Sequence, residues 1–120
     1  MNATQLPFLV EGILLLVAMV LGGFLGRKAK PYGKVKLSFH LFFFLWFTLG
    51  YYYVAQALFT NKTWTGLEIA VTVMGFALLV QIVSGVVMLV NKQRMSWLPK
   101  VHGVSATLLF LADAVGFLLA

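Results

Sequence analysis

Four long apolar stretches, joined by short connections, limit what this chain can fold into. They lie near residues 6–26, 37–57, 66–90 and 99–120. About 20 apolar residues in a helix cross the hydrocarbon of a bilayer. A helix is also the form in which such a segment satisfies every backbone polar group internally. Composition agrees: 62% of the 120 residues are hydrophobic and 10% are charged, whereas a water-soluble domain carries about 25% charged residues. The expectation is an all-α integral membrane protein. It is a single domain over residues 1–120, a four-helix up-down-up-down bundle arranged as two tandem helical hairpins. The first stretch lacks a basic leader and a clean cleavage site, so it reads as a retained helix.

The basic residues set an orientation. Arg27, Lys28, Lys30, Lys34 and Lys36 fall in the first connection, and Lys92, Arg94 and Lys100 in the third. The second has Lys62 alone, and neither terminal segment has any. The positive-inside rule then predicts that residues 27–36 and 91–100 are cytoplasmic and both termini outside, in an inner or plasma membrane. The net charge of +6 is thereby explained as topology. No basic stripe interleaved with aromatics suggests a nucleic-acid partner. Cysteine is absent, which excludes disulfides, thiolate metal sites and iron–sulfur clusters.

The chain contains two histidines. His40 opens the run "FHLFFFLWF" and His102 lies in "KVHGVSA". Sliding the sequence by 62 residues superimposes His40 on His102, Gly23 on Gly85 and Lys30 on Lys92. Each half therefore reads glycine, basic connection, histidine. His40 is four residues past Lys36, about 6 Å along a helix, and His102 is two past Lys100. Both are expected just inside the cytoplasmic face. In a square bundle the second and fourth helices are diagonal, roughly 14 Å apart for neighbouring axes about 10 Å apart. Two imidazoles reaching inward at one level would grip a single iron from opposite sides. The expected cofactor is one haem b with His40 and His102 as axial ligands. Gly23 and Gly85 would leave room for the macrocycle, and Phe43, Phe44 and Phe47 would wall it. Arg27, Lys36, Arg94 and Lys100 would pair with its propionates. The competing reading is two histidines hydrated near the interface or bonded to a neighbouring helix. Two imidazoles without further ligands are too few for zinc.

Glu11, Glu68 and Asp113 are the only acids. Asp113 lies 11 residues after His102, and Tyr51 the same distance after His40. Each falls on the face of its histidine, nearly three turns away. A proton-handling or quinone site of Tyr51 and Asp113, with Glu11 and Glu68 in the same half, is one expectation. The other is that Asp113 is hydrated or bonds Tyr51, while Glu11 and Glu68 stabilise helix starts through the dipole.

With these residues the chain resembles the small membrane b-type cytochromes, the class that includes cytochrome b561-like and ferric-reductase-like proteins. The resemblance is architectural and covers the whole chain; the two histidine segments are not themselves specific motifs. It implies a four-helix core holding haem between facing helices, and an electron-transfer subunit rather than a stand-alone enzyme. Its partners would be a quinone pool and a redox protein or larger membrane complex. Two-haem members use four histidines; with two, one bis-histidine haem is the ceiling. No nucleotide-binding fingerprint is present. The alternatives are a small proton-coupled transporter using Glu11, and a non-catalytic anchor subunit.

Overall fold

The computed structural model describes residues 1–26, 33–60 and 66–120 apart from 91–94. Four helices account for nearly all of them: α1 (Gln5–Gly26), α2 (Lys34–Phe59), α3 (Gly66–Val90) and α4 (Leu98–Leu119). All four are long and apolar enough to cross a membrane. The molecule measures 45 × 23 × 19 Å, and its long dimension matches a bilayer of about 40–45 Å including headgroups.

The helix ends have local causes. Asn2 caps α1 through its side-chain oxygen, which accepts from the Gln5 amide at 2.8 Å, while the Gln5 side chain accepts from the Asn2 amide at 3.1 Å. This reciprocal pair is a capping box. Pro99 occupies the first turn of α4, where the missing N–H costs no hydrogen bond. α2 ends where the Thr60 hydroxyl donates to the Gln56 carbonyl at 2.7 Å. It starts at Lys34, three residues before its apolar run, because hydrogen bonding rather than hydropathy defines a helix. The Ser38 hydroxyl bonds the Lys34 carbonyl in that first turn.

α1 packs on α2 and on α4, and α3 packs on α4; α2 and α3 touch least. Among the described residues no backbone contact joins α1 to α3 or α2 to α4. α2 and α4 are therefore diagonal. The core is a column of Phe8, Leu15, Phe47, Val71, Met74 and Leu109. Outward faces carry large apolar side chains, among them Phe76, Val104 and Leu118. A surface of this kind is suited to lipid rather than water.

Small residues set the close approaches. A Cβ at Gly116 of α4 would lie 2.6 Å from Cε1 of Phe8 on α1, and one at Gly75 of α3 would lie 2.6 Å from the Tyr51 hydroxyl of α2.

Candidate functional site

His40 and His102 meet. Their ring centres are 6.4 Å apart and their planes are inclined by 62°. Each ring packs on a glycine of the helix that precedes it. A Cβ at Gly22 would lie 2.9 Å from Cε1 of His40, and one at Gly85 would lie 3.2 Å from Cε1 of His102.

Each imidazole is anchored through Nδ1. In His40, Nδ1–H donates to the Ala18 carbonyl of α1 at 2.6 Å. A carbonyl only accepts, so the proton is on Nδ1 and a neutral ring keeps its lone pair on Nε2. In His102, Nδ1 lies 2.8 Å from Oγ of Ser84. The Ser84 hydroxyl donates its proton to the Gln81 carbonyl at 3.2 Å, so it accepts from His102. The Gln81 amide nitrogen then donates to Nε2 of His102 at 3.0 Å, and its amide oxygen accepts from the Ser105 hydroxyl. Both rings therefore carry the same tautomer, with Nδ1 as donor and Nε2 as acceptor.

The two rings line a cleft of about 450 Å³ where α2 and α3 diverge. Its walls are almost wholly apolar and include Leu25, Leu41, Phe44, Ile82 and Leu89; Thr48 and Gln81 supply polar groups. A volume of this size lies in the cofactor and ligand range.

The remaining expected residues divide. Gly85 and Phe44 line the cleft. Gly23 does not: nothing lies within 4 Å of the place its Cβ would take, and the glycine facing His40 is its neighbour Gly22. Phe47 is fully buried in the core, with its ring 6.3 Å from that of Phe44. Phe43 turns toward Phe42 and is not among the cleft's lining residues. Lys36 places Nζ 5.7 Å from the centre of the Phe24 ring. Lys100 borders a separate groove with Val73, Phe76 and Val104. Neither lysine lines the cleft. Arg27 and Arg94 lie outside the described residues.

At the other end of the bundle the acids are also brought together differently. The Tyr51 hydroxyl donates to the Val71 carbonyl at 2.8 Å, not to Asp113. Asp113 approaches α1, where a Cβ on Gly12 would lie 2.7 Å from its Oδ2. Glu11 leans on the α2 backbone at Gly50. It is the seventh residue of α1, beyond the first turn, which has no acid. A helix-start role therefore does not explain it, because the dipole acts within the first turn. Glu68 does lie in the first turn of α3.

Ser105, three residues after His102, is expected on that histidine's face, but the spacing that marks the histidines does not point to Gln81 and Ser84. The available signal was their polarity: Gln81 and Ser84 interrupt an otherwise apolar stretch, and buried polar side chains in such helices seek partners. Comparison with protein-family models, curated proteins and solved structures gave no match to this chain.

Proposed function

We propose that the chain is a membrane b-type cytochrome subunit. It would lie across the bilayer as an up-down-up-down bundle with its basic connections cytoplasmic and both termini outside. His40 and His102 would be the axial ligands of one haem b near the cytoplasmic face. The observation that carries this reading is the pair of imidazoles meeting at the wall of a cofactor-sized apolar cleft.

The residues present suit that group in three respects. A metal accepts an imidazole nitrogen at about 2 Å, and the ring centre lies about 1 Å further back, so two opposed ligands have centres roughly 6 Å apart. The observed spacing is 6.4 Å. Second, each Nδ1–H is held by an oxygen of the preceding helix, the outer contact that orients metal-ligating histidines and leaves Nε2 as the ligand atom. Third, the cleft lies along the thinnest interface of the bundle, where a flat group can enter without separating well-packed helices. One adjustment is required: the Gln81 amide must give up its bond to Nε2 of His102.

Haem supplies one-electron redox chemistry, and the protein positions it and tunes its potential. In this chain the work of the residues is to hold and orient. Ala18 and Ser84 fix the two rings, Gly22 and Gly85 let the rings lie against α1 and α3, and the leucines of the cleft exclude water. The chain would relay electrons between a quinone pool and a redox partner in a larger complex.

The test is the visible spectrum of the purified protein, oxidised and dithionite-reduced, with haem stoichiometry. The reading expects a low-spin spectrum with split bands on reduction and one haem per chain. A colourless protein that takes up no added haemin would overturn it.

A further inference from the structure

Glu11 and Asp113 lie near opposite ends of the chain, yet both are buried in the half of the bundle away from the histidines, on helices α1 and α4 that pack together. Glu11 is 5% exposed and Asp113 is 3% exposed. The Asp113 carboxyl lies against α1 at Gly12, the residue next to Glu11. Two glycines clear their positions: Gly50 on α2 admits the Glu11 carboxyl, and Gly12 on α1 admits that of Asp113.

Their hydrogen bonding is incomplete. Oε2 of Glu11 and Oδ1 of Asp113 are buried and have no hydrogen-bond partner. The groups around them do not fill the gap. Tyr51 of α2 gives its hydroxyl proton to Val71. Glu68 of α3 is a third buried acid, with interactions of its own. Lys34, Lys36 and Lys100, the basic residues within the described helices, are in the first turns of α2 and α4, at the histidine end. Two carboxylates buried near one another repel, and an unmatched buried charge is costly. One proton removes half of that charge.

Asp113 also borders a cleft. This cleft, of about 350 Å³ between α1 and α4, is lined by Asp113 and Gly12, with Phe8, Phe110 and Phe117 on its apolar walls.

We propose that Glu11 and Asp113 hold one exchangeable proton in common, at a site beside the cleft between α1 and α4. Uptake forms one O–H bond on a carboxylate oxygen and takes the pair from charge −2 to −1; no electron moves. The site goes beyond the haem reading and does not depend on it. It gives the bundle a place to bind and release a proton in the half opposite the histidines.

Infrared spectroscopy tests this on the full-length protein in lipid nanodiscs at neutral pH, with potassium as the only added cation. Asp113 is the sole aspartate in the chain, so carboxyl-13C aspartate reports on it without any substitution. The expected result is a protonated-carboxyl C=O band that shifts in D2O. Labelling with 13C-aspartate or E11Q should displace it, and the E11Q/D113N double variant should lack it. Three results would overturn the proposal: no such band in the wild type, an unchanged band in the double variant (which would assign it to Glu68), or a band abolished by added sodium (which would make this a metal-cation site). H40A tells the two readings apart, because it should remove haem absorption and leave the infrared band in place.

Discussion

A methyl group at Gly22 would sit 2.9 Å from Cε1 of His40, whereas nothing lies within 4 Å of the same position at Gly23. The two substitutions to alanine should therefore differ sharply. Alanine for glycine within a helix contributes about 0.5–1 kcal/mol of stability by itself, so a loss at position 22 is steric. Gly22→Ala should displace the His40 ring and lower haem content several-fold with helicity intact by circular dichroism. Gly23→Ala should leave haem content unchanged; equal content in the two variants would contradict the placement of His40. The sequence carried the two histidines and Gly85 to the site but missed its first glycine by one residue. The 62-residue repeat aligns letters, and each residue turns a helix by about 100°. A difference of one residue between the two hairpins is enough to put Gly23 off the face that His40 touches. Gln81 escaped notice for a related reason: its role depends on reaching His102 across a helix interface, and spacing within one helix does not reveal that.

Among the elements, α2 and the α1–α4 interface carry the sharpest expectations. Phe47 is fully buried at the centre of the core. Phe47→Ala should cost about 3 kcal/mol through lost packing and a residual cavity, measured as reduced resistance to denaturing detergent. Gly116→Ala would bring a methyl group 2.6 Å from the buried Phe8 ring. Overpacking of this kind costs about 1–3 kcal/mol, and the same titration should show it. A Gly116→Ala protein as stable as the wild type would contradict the close approach of α1 to α4. The four apolar helices were legible because long apolar runs permit little else. Their inward faces were not, since helices that are apolar all round carry no contrast between core and lipid sides. Histidine, glutamine and carboxylate positions supply that contrast. The approach of Asp113 to Gly12, beside Glu11, could not be read from either end of the chain, because it depends on α1 lying beside α4.

For the whole molecule, the charge distribution predicts a single orientation. The chain has no cysteine, so single-cysteine reporters need no background removal. In intact cells a membrane-impermeant maleimide should label Ala3→Cys and leave Lys92→Cys unlabelled until the membrane is opened. The reverse pattern would invert the topology. Orientation in turn fixes where electrons would enter and leave, because the two imidazoles lie close to the basic end, four and two residues beyond Lys36 and Lys100. The central claim is that those two rings share one iron. Absorption spectra of purified wild-type, His40→Ala and His102→Ala proteins, at matched concentration and after identical exposure to haemin, test this directly. A low-spin b-type spectrum is expected in the wild type, with its loss or near-loss in each variant. Equal haem content and unchanged spectra in all three would contradict it.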